Sequence, residues 1–194
     1  LMPYLMEAVL LEAEGVPSAV IDKAATDFGM PMGPVQLADT VGLDICLHVA
    51  EILAGHFNAT IPERLRNLVN AGNLGRKSGR GFYEYKKGKP ARQKAGTGNW
   101  NMDEITNRLV YRLLNESVSC VREQVVENSD LLDAGMIFGT GFAPFRGGPM
   151  HYIDAVGADA VNRQLLALEK LRGERFTPDE GWKALMQTSG GSTA

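Results

Sequence analysis

Cysteine is scarce in this sequence: Cys46 and Cys120 are the only two. They form no C-x-x-C and no disulfide framework, which excludes a thioredoxin-like motif and a small stapled fold. Both read as buried thiols in a reducing compartment. Histidine is also sparse, with His48, His56 and His151 the full set of three. No pair of them has metal-ligand spacing with a nearby acid or thiol, so no metal site is assigned. G-x-S-x-G, H-E-x-x-H and a credible nucleophilic triad are missing, and no catalytic residue follows from motifs. No apolar run approaches the roughly 18 to 20 residues of a membrane span, and no signal peptide is visible. Charge of one sign is not in excess: the net charge is −3, so the chain is no general polyanion binder and nucleic acid is not expected as a partner. Strand signals are nearly absent, with Gly81 to Tyr85 the only candidate.

What is present is ordinary globular material. The 194 residues, 44% hydrophobic and 22% charged, suit one large or two small domains. Each half could bury only a marginal core. The opening segment, Leu1 to Val9, reads as the inside of a helix with no cap before it, so further chain is expected upstream. A repeat with a period of about 110 residues organises the rest. Glu7-Ala8-Val9 lines up with Glu116-Ser117-Val118. Phe28-Gly29 followed by Pro34 lines up with Phe138-Gly139 followed by Pro144. Asp39 to Asp44 lines up with Asp154 to Asp159, after about five extra residues around Arg146 to Pro149.

Both halves read as helical. Leu1, Leu5, Ala8, Val9 and Glu12 keep the spacing of one helix face. Pro17 suits the first turn of a second helix and Gly29 its stop. A third helix is expected from Pro34 to Ala54, with Leu37, Val41, Ile45, Val49 and Ile52 on one stripe. Pro62 begins a fourth, which Gly72 ends. In the second half, Ile105 to Arg122 carries Leu109, Leu113, Leu114 and Val118. Ser129 or Asp130 is expected to cap the next helix, and Thr177-Pro178-Asp179-Glu180 reads as a capping box. Lys86 to Asn99 has linker composition, and the tail from Ser189 to Ala194 is small and polar.

Three segments could carry chemistry. Gly75 to Tyr83 combines three glycines, which permit sharp turns, with Arg76, Lys77 and Arg80. Between Gly75 and Lys94 there are eight Lys or Arg against the single Glu84. Such a loop could meet a pyrophosphate or a CoA phosphate, or it could be a solvated basic linker. It has neither the P-loop order nor the preceding strand of a dinucleotide fingerprint. Gly29-Met30-Pro31-Met32-Gly33-Pro34 fixes a turn with two adaptable methionines, either a wall of an apolar cleft or a plain helix corner. Gly139 to Pro149, with Arg146, is a longer corner that either binds an anion or locks the fold.

The run Asp27 to Pro34, with Leu37-Ala38-Asp39, Gly42-Leu43-Asp44 and Gly75 to Tyr83, resembles the C-terminal domain of 3-hydroxyacyl-CoA dehydrogenases. The resemblance covers Leu1 to Tyr85 and, more weakly, Asn101 to Met186. The second-half run Gly139 to Pro149 looks like the multifunctional fatty-acid oxidation proteins, which pair enoyl-CoA hydratase with the dehydrogenase. The resemblance implies an all-α fold of two tandem copies, each like the 6-phosphogluconate dehydrogenase C-terminal domain, packed as a pseudo-dimer. It implies a first copy at 1–86, a linker at 87–99, a divergent second copy at 100–188 and a flexible tail at 189–194. The Rossmann domain that carries the family's catalytic histidine is absent, so no catalytic residue is carried over and the fragment alone is expected to be inactive.

By the same resemblance, NAD is the cofactor, bound mainly by the missing domain, with Lys77 reaching it from the helical side. Met30, Pro31, Met32 and Phe138 are the implied substrate contacts. Implied partners are an acyl-CoA, an upstream Rossmann domain and a thiolase subunit, and the implied location is the cytoplasm. A long-form 3-hydroxybutyryl-CoA dehydrogenase is the nearest alternative parent. A non-catalytic dimerisation or scaffold module is the alternative of another class.

Overall fold

The computed structural model describes residues 1–57, 61–91 and 98–189. Ten helices run through them: α1 (Met2–Ala13), α2 (Ser18–Phe28), α3 (Pro34–Val41), α4 (Leu43–Phe57), α5 (Glu63–Asn70), α6 (Met102–Arg122), α7 (Ser129–Thr140), α8 (Pro149–Val156), α9 (Ala158–Arg172) and α10 (Trp182–Ser189). Two-residue strands, β1 (Tyr85–Lys86) and β2 (Lys89–Pro90), pair antiparallel as a small hairpin. The all-helical expectation holds. Of the strand expected at Gly81 to Tyr85, only Tyr85 lies in this hairpin, and Glu84 makes an isolated bridge to Arg80. Tail residues 190–194, part of the expected linker (92–97) and the His56 side chain lie outside the described residues.

Packing divides the chain into two compact units, Leu1–Phe28 with Met32–Leu109, and Gly29–Pro31 with Val110–Ala194. The division falls inside α6. In the first unit, α1 packs on α2, α3, α4 and α5. Its core holds Tyr4, Leu5, Ala8, Val9 and Leu11 of α1 against Ile21, Val35, Leu43 and Leu65. Arg108 and Glu7, both almost fully buried, pair at 2.6 Å, and Glu14 holds the same guanidinium at 2.6 Å. A buried charge is tolerable only when it is paired in this way. In the second unit, α7 packs on α8, α8 on α9, and α9 on α10 and the 3-10 turn Glu174–Phe176. Leu114, Phe142, Ile153, Val161, Leu165, Phe176 and Trp182 form its core.

The proline and glycine punctuation is borne out in most places. Gly29 takes φ 119 just past α2, and Pro62 caps α5. Four expectations are corrected. The long helix from Pro34 is two helices, because Gly42, at φ 110, breaks the backbone between α3 and α4. The expected stripe is not the one that meets the core: Val41, Ile45 and Ile52 are 42%, 48% and 60% exposed, and Leu37 and Val49 are half-buried. Val35, Ala38, Leu43, Cys46, Leu47 and Ala50 face inward instead. Asn128, one or two residues before the expected caps, caps α7 by accepting from the Leu131 amide. Thr177 follows a 3-10 turn rather than starting a helix, and α10 begins at Trp182. Asn115 sets that start: it donates to the Thr177 carbonyl and accepts from the Asp179 amide and the Trp182 indole.

One local device occurs in both units. Asp22 of α2 accepts from the Val35 and Gln36 amides at 2.7 and 3.1 Å, capping α3 from outside. Asp133 of α7 accepts from the Met150 and His151 amides at 2.7 and 3.0 Å, capping α8. Each capped helix opens on Gly-Pro, and each glycine is compulsory. A Cβ on Gly33 would lie 2.2 Å from the Asp22 side chain, and one on Gly148 2.3 Å from that of Asp133. The partner of Pro34 in this geometry is therefore Pro149 rather than Pro144, which lies in the extra 3-10 turn Pro144–Arg146.

Candidate functional site

The glycine loop is built around Asp39. This carboxylate, itself buried near the C-terminal end of α3, accepts from the Phe82 and Tyr83 amides at 3.0 and 2.9 Å and from the Tyr85 hydroxyl at 3.1 Å. The loop lies so close that a Cβ on Gly81 would sit 2.1 Å from Asp39 Oδ1, and one on Gly75 2.2 Å from its carbonyl oxygen. Gly75 and Gly79 also take φ of 92 and 78, a region most residues avoid. Ser78 locks the turn, accepting from the Leu74 amide and sharing its one hydroxyl proton between the carbonyls of Arg80 and Gly75, at 2.8 and 3.1 Å. The amides of Gly75, Ser78, Gly79 and Gly81 are bonded to loop carbonyls. Six loop amides are thus spent within the fold. The glycines serve internal packing, and no backbone cradle for a pyrophosphate is left at these positions.

A second buried carboxylate stands behind the first. Tyr83 donates to Asp22 at 2.7 Å, so Asp22 ties the loop to the start of α3. Burial pushes the Asp22 carboxyl up to about 6, against the lowering effect of its bonds from Tyr83, Val35 and Gln36. Burial also raises Asp39, opposed by the bonds from Tyr83, Phe82 and Tyr85. The tyrosines move up for the same reason, with Asp22 or Asp39 adding to the shift. Tyr4, 1% exposed, feels the Asp22 charge and has no hydrogen-bond partner for its hydroxyl among the described residues.

Lys77 projects from this rigid base. It lies in the 3-10 turn Arg76–Ser78, with its side chain 45% exposed. Its ammonium meets Asp44, in the first turn of α4, at 2.6 and 2.7 Å to the two carboxylate oxygens. Hydrogen bonding to Lys77 holds the Asp44 carboxyl below its ordinary range. Gly42 makes room: a Cβ there would lie 3.0 Å from Lys77 Nζ and 2.9 Å from Asp44 Oδ1. The arrangement fits one point-charge contact to a phosphate-bearing ligand rather than a full pyrophosphate site.

The other implied site residues divide between the units. Met32 belongs to the first, half-buried, with its sulfur 4.0 Å from the Thr40 hydroxyl. Met30 and Pro31 group with the second. Met30 is buried, while Pro31 is exposed and lies 2.7 Å from where a Cβ on Gly141 would be. Phe138 is 89% exposed near the end of α7. Arg146 stacks over the Phe145 and Tyr152 rings at 5.1 and 5.2 Å, which fits the locking reading of that corner. His48 and His151 are exposed, and no metal-binding cluster occurs among the described residues. Sequence reasoning missed the roles of Asp22, Asp39 and Asp44. Asp39 and Asp44 stood in the repeat and in the resemblance, but their hydrogen-bond and ion-pair partners lie far along the chain, so their roles could not be read.

The family model described as 3-hydroxyacyl-CoA dehydrogenase, C-terminal domain, matches residues 1–85 and 105–190. The chain belongs to this family. One member similar to it is the fatty acid oxidation complex subunit alpha of Idiomarina loihiensis, 35% identical over 199 residues. That match takes in 96% of this chain and 28% of the relative, so the chain spans under a third of that protein. Two solved structures share the fold of this family domain. A 3-hydroxybutyryl-CoA dehydrogenase of Escherichia coli K12 matches with TM-score 0.76 and 20% identity, over 97% of this chain and 58% of that one. The dehydrogenase part of a multifunctional enzyme 1 of C. elegans matches with TM-score 0.64 and 22% identity, over 94% and 46%.

Proposed function

We propose that this chain is the helical region that shapes the substrate and cofactor cleft of an NAD-dependent 3-hydroxyacyl-CoA dehydrogenase of fatty-acid β-oxidation. The observation that carries the reading is the sealed glycine loop of a family domain, which offers one exposed, anchored ammonium, Lys77, at its tip. In this reading the two halves are tandem copies of one helical domain, packed as an internal pseudo-dimer. The hydride acceptor is NAD, bound mainly by a nucleotide-binding domain joined upstream. The residues of this chain then bind and orient. Lys77 donates to the cofactor, and Met30, Pro31, Met32 and Phe138 give the acyl-CoA an apolar wall. Phe138 has no hydroxyl and can only pack. No group placed here abstracts a proton, so the chain alone neither oxidises 3-hydroxyacyl-CoA nor binds NAD usefully. A thiolase subunit as partner and a cytoplasmic location complete the reading.

The test is Lys77→Ala in the full-length enzyme. A lysine–phosphate contact at an exposed position is screened by salt and contributes on the order of 1 kcal/mol. The expected result is a several-fold rise in the KM for NAD with an unchanged melting temperature. An unchanged KM returns Lys77 to a solvated basic loop and favours a scaffold role. The fold shared with a 3-hydroxybutyryl-CoA dehydrogenase keeps a short-chain parent in view. Comparing kcat/KM for C4 and C16 substrates decides chain length.

A further inference from the structure

The proposed cofactor contact leaves one feature unexplained: Lys77 is the most flexible kind of cation, yet it sits at a fixed point. A lysine ammonium has three N–H donors on a four-carbon stem, and holding it still costs side-chain entropy. Lys86, Lys87 and Lys89, on the neighbouring hairpin, are exposed and extend into solvent. Lys77 instead meets both oxygens of Asp44 at 2.6 and 2.7 Å. Its backbone is fixed by the Ser78 bonds and by the Asp39 seal, and that of Asp44 by the first turn of α4. Gly42, between α3 and α4, leaves the space in which the two side chains meet. Three elements converge to place one charged atom.

We propose that Asp44 is a positioning residue, whose carboxylate fixes the Lys77 ammonium at the tip of the glycine loop so that a remaining N–H donor meets a phosphate-bearing dinucleotide. This rests on the cofactor reading of Lys77. Asp44 touches no ligand and acts through Lys77. Its two contacts leave at least one of the three lysine donors for the ligand. Pre-placing that donor removes an ordering cost from the binding step, and such a saving raises affinity without a new contact.

The experiment uses the full-length enzyme and the variants Asp44→Ala, Asp44→Glu, Lys77→Ala and the Asp44→Ala/Lys77→Ala pair. Without cofactor, amine acylation mapped by mass spectrometry reads the freedom of Lys77. Asp44→Ala raises Lys77 labelling severalfold and leaves Lys87 labelling unchanged. NADH binding by fluorescence titration weakens about three- to fivefold in Asp44→Ala, the scale of one immobilised side chain. The KM for NAD follows, kcat moves less, and Asp44→Glu restores part of the loss. On the Lys77→Ala background, Asp44→Ala has no further effect, as expected for groups that act as a unit. Three results overturn the positioning role while leaving the Lys77 reading intact: unchanged NADH binding in Asp44→Ala, tighter binding, or an equal loss with Lys77 already removed. If Lys77→Ala itself binds NADH like the parent, the Lys77 reading fails, and the positioning role fails with it.

Discussion

The two units share a frame and finish it differently. In both, an aspartate on one helix caps the next from outside, across a glycine that leaves no room for a Cβ. In both, the capped helix ends at a left-handed glycine, Gly42 or Gly157, at φ 110 and 97. Beyond that point they part. The first unit buries Asp39 and folds a basic glycine loop over it, with Tyr83 adding a third bond at Asp22. In the second unit the residue at the corresponding position, Asp154, is exposed, and the fold closes on Phe176, Trp182 and Asn115. The lesson concerns division of labour. A capped-helix frame is indifferent to its covering loop, so one unit can carry a basic glycine loop while the other is closed by aromatic packing.

The comparison breaks most sharply at the glutamates of the first helices. Glu7 is buried on Arg108, whereas Glu116 is half-buried and 3.7 Å from Arg112. Arg108→Ala strands a buried charge and costs about 3–5 kcal/mol in urea unfolding. Glu116→Gln should stay within about 1 kcal/mol. Equal losses would mean the two positions are not distinguished by burial.

The capping glycines come next. Gly33→Ala and Gly148→Ala each overpack by about 1–3 kcal/mol. Gly148, at φ 108, pays a further 1–2 kcal/mol or so for the left-handed backbone. Gly33, at φ −67, does not. Thermal melts of both variants check the order.

The capping carboxylates predict a pH response. Burial raises Asp22 from 3.8 to about 6. A raised carboxyl binds its proton more tightly when folded, so its contribution to stability is fully present below about pH 4 and is lost as pH rises through about 6. At about 1.4 kcal/mol per unit the swing is roughly 3 kcal/mol. Asp22→Asn should flatten that part of the profile in urea midpoints measured between pH 4 and 7. An identical slope in parent and variant would sink the assignment. The smallest effect separates the loops: Asp39→Asn costs about 1–3 kcal/mol by disturbing buried bonds, while Asp154→Asn stays within about 0.5 kcal/mol.

Much of this frame was legible because proline and glycine punctuate it. Gly29, Pro34, Pro62 and Gly72 placed helix ends from chain geometry alone. The break at Gly42 was not legible. Apolar residues continue on two faces of that segment, and periodicity cannot say which stripe meets the core. The buried one proved to contain Ala38, Cys46 and Ala50, residues too small to stand out. The basic loop was visible as charge, but Asp22, Asp39 and Asp44, which hold it, are ordinary acids whose partners lie far along the chain.

The sealed loop has a consequence for tolerance to change. In a substitution library scored only for soluble, protease-resistant protein, with no cofactor and no activity required, Gly75 and Gly81 should be as intolerant as core leucines, because Asp39 occupies the space their side chains would need. Lys77 should accept almost any residue in the same library. A glycine signature in this family would then persist in lineages that had abandoned the chemistry, and the lysine between the glycines, rather than the glycines, would be the position that drifts first.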